Sequence, residues 1–152
     1  MIGILILLVV FGLWAKKEKN LGDILDVSKE QIWHVALEKH VSTGSVWESD
    51  SVRIEETEDI EVVLQALNEM NVTWKGWSNQ SKLSENEECY DVKIFDNGLK
   101  WVRIKENGEI RILFMGQWIY HADDMEVKNG IDRIQGILET AQKETEKISL
   151  EN

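Results

Sequence analysis

Apolar and polar positions divide this chain into one unbroken apolar run and a series of short periodic segments. From Ile2 to Ala15 every residue is apolar or glycine, and Lys16-Lys17-Glu18-Lys19 ends the run. A helix of that length covers about 22 Å, against a hydrocarbon core of about 30 Å. Such a length suits a signal-peptide h-region or a short span with local bilayer thinning. No Lys or Arg precedes the run and no small-x-small pair closes it. The sequence therefore predicts an N-terminal membrane anchor over residues 1–19, in preference to a cleaved signal segment. The lysines after the run would place the following domain in the cytoplasm by the positive-inside rule. A start codon assigned too late would hide a basic n-region and reverse that orientation.

Beyond the run, the periods change. Residues 20–30 read as a linker that enters a domain through Ile24, Leu25 and Val27. Ser28-Lys29-Glu30-Gln31 resembles a capping box and suits a helix, whereas alternation of Trp33, Val35 and Leu37 with His34, Ala36 and Glu38 suits a strand over 31–40. Ser42-Thr43-Gly44-Ser45 is a turn, and 46–54 a second strand. Residues 58–70 are a helix, with Ile60, Val63, Leu64 and Leu67 on one face, Thr57 as N-cap and Asn71 as its stop. A short strand, 72–77, leads into the polar stretch 78–88. Strands over 90–95, 99–105, 110–115 and 118–121 follow, turning at Asp96-Asn97-Gly98, Glu106-Asn107-Gly108 and Gly116-Gln117. The Asn-Gly pairs suggest tight hairpins with both central residues at positive φ. A closing helix, about 129–146, buries Ile131, Ile134, Leu138 and Ala141, and residues 148–152 are a tail. The expected architecture is α+β: residues 31–147 as a single domain, an antiparallel sheet of five to seven strands with two helices on one face.

Charge narrows the partners. Residues 21–152 carry 27 acidic and 14 basic groups, a formal charge of −13. That surface repels nucleic acid and anionic headgroups, so nucleic-acid binding is not expected. Cys89 stands alone, which excludes an intramolecular disulfide and a cysteine-based zinc cluster. Of the seven tryptophans, Trp33, Trp101 and Trp118 fall in strand-like patterns that ask for bulky core residues.

Several pieces together resemble a family of small uncharacterised lipoproteins and membrane-anchored proteins of low-GC Gram-positive bacteria. They are Ser42-Thr43-Gly44 before Val52-Arg53-Ile54, Ala66-Leu67-Asn68, Tyr90-Asp91-Val92-Lys93-Ile94-Phe95 and Gln117-Trp118-Ile119-Tyr120. The likeness spans roughly residues 26–140 and rests on turn and core positions. It implies an extracytoplasmic domain of unknown function that opens with a strand, which favours the strand reading of 31–40. Members commonly carry a basic n-region and a lipobox cysteine, and this chain has neither.

Candidate chemistry is sparse. Gly-x-Ser-x-Gly, Ser-x-x-Lys, Gly-x-Gly-x-x-Gly and Walker sequences are all absent. No catalytic residue and no cofactor is expected. His34 and His40 share a strand face but lie about 20 Å apart, too far to share a metal. His121 with Asp123 and Asp124 offers imidazole and carboxylate ligands close together, the basis of an alternative reading as a metal-dependent hydrolase. A strand end capped by aspartates before a helix accounts for the same residues. Glu85, Glu87 and Glu88 lack the pattern of a calcium loop. The leading candidate is Trp74-Lys75-Gly76-Trp77, a stacking platform with the 78–88 loop as its rim. The sequence thus suggests a non-catalytic binding domain. Its partners would be the membrane through residues 2–15 and a protein, peptide or envelope polymer.

Overall fold

Period-two alternation governs the strands, and the architecture of the sheet follows from it. In the computed structural model, which describes residues 2–42, 47–78, 87–113 and 117–150, eight strands form one antiparallel sheet. In chain order the elements are α1 (Ile2–Lys16), β1 (Lys19–Asn20), α2 (Leu21–Leu25), a 3-10 turn (Lys29–Gln31), β2 (His34–Ser42) and β3 (Trp47–Ile54). Then come α3 (Thr57–Asn68), β4 (Asn71–Ser78), β5 (Glu88–Phe95), β6 (Leu99–Lys105), β7 (Glu109–Leu113), β8 (Gln117–Ala122) and α4 (Asp124–Leu150). The sheet order is β1-β4-β8-β7-β6-β5-β2-β3, a β5–β8 meander flanked by the β2–β3 hairpin and by β4. The α+β class is as expected. The strand count is eight rather than five to seven, because the two-residue β1, read as part of a linker, joins the sheet beside β4.

The segment expected as a strand over 31–40 forms β2 from His34 to Ser42, preceded by a 3-10 turn at Lys29–Gln31 rather than a helix. Val35, Leu37, Val92, Ile94, Val102, Ile104 and Ile110 point to one sheet face and are buried there. Against them α3 sets Ile60, Val63, Ala66 and Leu67, and α4 sets Val127, Ile131, Ile134 and Leu138. Each such aliphatic side chain contributes roughly 1.5–3 kcal/mol on burial, so this seam supplies most of the driving force. The helix boundaries move slightly from expectation. Glu56 rather than Thr57 is the N-cap of α3, Glu69 is its C-cap, and Asn71 opens β4. Helix α4 starts earlier than expected, at Asp124, with the Asp123 carboxylate accepting from Met125 N–H at 2.9 Å. Residues 20–30 hold α2, whose Leu21 and Leu25 are buried beneath the sheet edge.

The expected membrane segment is corrected. Residues 2–16 do form a helix, but among the described residues no helix is long and apolar enough to cross a membrane. Its 15 residues rise about 22 Å, some 8 Å short of a typical hydrocarbon core. The reading as a membrane protein with a signal anchor or transmembrane helix therefore falls. The turns at 43–45 and at Gly116, the loop segment 79–86 and residues 151–152 of the tail lie outside the described residues.

Two hairpins also depart from the tight form read from Asn-Gly. Both loops have three residues, since Phe95 pairs with Leu99 and the strand ends Lys105 and Glu109 flank 106–108. At the second, Gly108 alone takes positive φ, +83°, and its N–H bonds Lys105 O at 3.1 Å. This is a type I turn closed by a left-handed glycine. Asn97 and Asn107 stay at negative φ, and Asp96 and Asn107 accept instead from N–H groups two residues on. A Cβ on Gly108 would lie 2.8 Å from the Ala122 carbonyl oxygen. Gly108→Ala is therefore expected to lower stability by about 1–3 kcal/mol. A shift in the urea midpoint at constant slope would show it, and an unchanged midpoint would refute the turn assignment.

Candidate functional site

Strict alternation would put Trp74 and Trp77, three positions apart, on opposite faces of β4. A β-bulge between Trp74 and Gly76 prevents this. Trp74 pairs with Tyr120 and Trp77 with Trp118, and those two β8 residues, two apart, share a face. The extra residue is accommodated by Gly76, whose φ of +147° few side-chain-bearing residues adopt. Both candidate tryptophans thus point to the same side of the sheet as the core. Trp74 packs half-buried against that core and receives the Phe11 ring edge-on at 5.5 Å. Trp77 lies 56% exposed.

Helices α3 and α4 do not cover this end of the apolar face. Trp118, 45% exposed, stands between Trp77 on β4 and Ile112 on β7, its cross-strand partners. Ile112 in turn pairs with Val102. The β6–β7 ladder stops at that pair, and among the described residues Leu99–Trp101 have no partner on β7. A groove of about 690 Å³ opens there, walled by Ile24 and Leu25 of α2 and by Leu99, Ile112, Trp118 and Tyr120. Its rim is polar. Lys100 Nζ bonds Asp96 Oδ2 at 2.6 Å and the Asp26 carbonyl at 3.0 Å. That lysine, with help from Gly98 N–H, holds the Asp96 carboxyl below its ordinary range. A neighbouring depression runs from the groove past Asp23 to Lys17 and Lys19, at the foot of α1. Two of the tryptophans expected in the core are thereby corrected. Trp118 faces the groove, and Trp33 is 72% exposed just ahead of β2, where only its N–H is engaged, by Phe95 O at 2.8 Å. Half-buried Trp101 lies on the opposite sheet face.

That opposite face carries charge. Asp91, fully buried, takes a two-pronged contact from Arg103 Nε and NH2, both at 2.7 Å. The bond to Asp91 raises the pKa of the Arg103 guanidinium. Across β2, Glu38 accepts from Lys93 at 2.5 Å, and His40 Nε2 lies 3.2 Å from Glu38 and 3.3 Å from Asp91. Lys93 and Arg103 both stack over the Trp101 ring. Further along, Lys105 joins Glu87 at 2.8 Å and Glu109 at 3.0 Å, and Arg111 joins Glu109 at 2.6 Å. Burial would raise the Glu109 pKa, but the bonds to Arg111 and Lys105 outweigh it and hold the group low.

Glu38, His40 and Asp91 lie close enough to share a cation; among the described residues no other such group occurs. The surrounding charges oppose that use. Both Asp91 oxygens serve Arg103, and Glu38 serves Lys93, so a divalent ion would enter against two cations. The arrangement is a charge-balanced ladder that lets this face bury its ions. His121, Asp123 and Asp124 border a shared depression but do not form a ligand-distance group, and Asp123 is occupied as the α4 cap. Glu85 lies outside the described residues, while Glu87 and Glu88 are committed to Lys105 and Lys39. The Cys89 thiol sits buried beside this ladder; burial, with Asp91 and Glu87, pushes its pKa up to about 11 against the pull of Arg103 and Lys105.

Sequence reasoning located Trp74 and Trp77 but missed Trp118, Ile112 and Ile24 as surface residues. It also missed the ladder, although Glu38-x-His40 and Asp91-x-Lys93 alternate on one face of adjacent predicted strands. Comparison with family models, with curated proteins and with solved structures finds no match to this chain, so the functional reading rests on geometry.

Two outcomes test the ladder. Asp91→Asn leaves the Arg103 guanidinium buried without its counter-charge, and it is expected to lower unfolding free energy by about 3–5 kcal/mol. Replacing both, Asp91→Leu with Arg103→Leu, should recover most of that loss; equal damage in the double variant would contradict the charge argument. Cys89, whose thiolate forms only as pH rises toward 11, should ignore a disulfide reagent at pH 7–8 while the chain is folded and react stoichiometrically in urea. Rapid native labelling would refute its burial.

Proposed function

We propose that this chain is a non-catalytic binding module whose ligand surface is the Trp77–Trp118 groove, and that the ligand is an apolar peptide segment. The observation that carries the reading is the cross-strand pair of half-exposed tryptophans heading an apolar groove on the face that elsewhere forms the core. Exposed tryptophans at such a position give up large apolar area to a partner at low entropic cost. The aliphatic walls, Ile24, Leu25 and Ile112, favour hydrocarbon side chains over the hydroxyl-rich face of a sugar. The polar rim at Asp26, Asp96 and Lys100 suits the backbone and flanking polar groups of a peptide. The ionic ladder supports the same view from the other side, because its acids and bases are committed to one another.

Selection of a random displayed-peptide library against the folded chain tests this. Peptides with two or more large apolar residues are expected, and Trp118→Ala and Trp77→Ala should each weaken them at least tenfold. Val62→Ala, an exposed apolar change on α3, should leave affinity unchanged. Gly76→Val should also weaken binding, because the bulge that aims Trp77 depends on a φ that valine resists. Peptides indifferent to Trp118 would overturn the assignment.

A further inference from the structure

Helix α1 carries no charge from Ile2 to Ala15, and seven of its large side chains, Ile4, Ile6, Leu7, Val9, Val10, Phe11 and Leu13, are at least half exposed. Side chains of this kind present on the order of 800 Å² together, above the patch that monomers leave bare and equal to what each partner contributes to a stable interface. Helix α1 rests on β4, where Phe11 meets the Trp74 ring edge-on. Trp74 shares its sheet face with Trp77, and Trp77 abuts Trp118 at the groove, so helix and groove belong to one apolar surface. The depression beside Asp23 and Ile24 carries that surface to Lys17, where α1 joins the sheet.

We propose that the groove's occupant is α1 of a second copy, and that two chains exchange these helices about a two-fold axis. The proposal rests on the groove being a binding surface and names its partner. Charge favours this pairing over others. The body of each chain is strongly acidic, with a formal charge of −13 over residues 21–152, so two bodies repel. The α1 stretch Ile2–Ala15 carries no charge, and Lys17 just after it is opposite in sign to the acids Asp23 and Asp26 at the edge of a partner's groove, so α1 can approach a body that the rest of the chain repels. A two-fold arrangement uses the same two patches twice and closes on itself, which limits the assembly to a dimer.

The test is sedimentation equilibrium of the full chain in detergent-free buffer, repeated for Leu7→Asp and Trp118→Ala, with circular dichroism to confirm that each variant folds. Both side chains are substantially exposed, so neither change should disturb the core. The expected result is a dimer for the unaltered chain and at least a tenfold rise in dissociation constant for each variant. Mixing the two variants should restore partial association, because the α1 of the Trp118→Ala chain still fits the groove of the Leu7→Asp chain. A monomeric unaltered chain, a dimer indifferent to Trp118→Ala, or no restoration on mixing would each overturn the exchange. So would a chain that floats as monomer with phosphatidylcholine vesicles, where lipid covers α1 instead. Peptide binding lost in Trp118→Ala would still uphold the groove in those cases, so the two readings fail separately.

Discussion

A strand can send a side chain to only one of two faces, and that constraint organises this molecule. Along β2, β5 and β6 the division is strict. Val35, Leu37, Val92, Ile94, Val102 and Ile104 go to the helices, while Glu38, His40, Asp91, Lys93, Arg103 and Lys105 go to the other side. The core on one face and the ionic ladder on the other are two products of one alternation. Paired strands bring Glu38 opposite Asp91 and Asp91 opposite Arg103, so the polar face neutralises itself without a covering helix. Buried ions of this kind add little net stability compared with apolar residues of similar volume. Their cost falls on any change that breaks a pair.

Beside the groove the alternation is broken. One extra residue at Trp74–Gly76 shifts the period by one and returns Trp77 to the apolar side, next to Trp118. Among the described helices, α4 packs over β3 and β6 with α3 against it, while the five-residue α2 lies beside the open end. A face built for burial is thereby left partly open, which gives part of the surface the chemistry of a core.

Much of the fold was legible in the sequence, because periods of 2 and 3.6 are local. The helix read at 58–70 and the meander from Tyr90 followed from spacing, whereas 31–40 suited helix and strand alike. The site was only half legible. Trp74 and Trp77 stood out through composition, but their common face depends on a bulge, for which the lone Gly76 within the strand was the available signal. Trp118 looked like core because its face is core; only the end of helix coverage, a tertiary fact, exposes it. The ladder was hidden for a similar reason. Glu38 and Asp91 are 53 positions apart, and their register is set by the sheet order, which alternation does not specify. The apolar run misled in the other direction. Its composition read as membrane, while its length as a helix falls short of a span.

The most direct test of the account follows the two faces at once, by ¹⁵N–¹H spectra of tryptophan indole and arginine Nε–H groups while an apolar peptide selected against the chain is titrated in. The account predicts that the Trp77 and Trp118 indole signals move with saturation while the Arg103 Nε–H, locked on Asp91, stays in place. Movement of Arg103 with Trp118 unchanged would put the ligand on the charged face and contradict it.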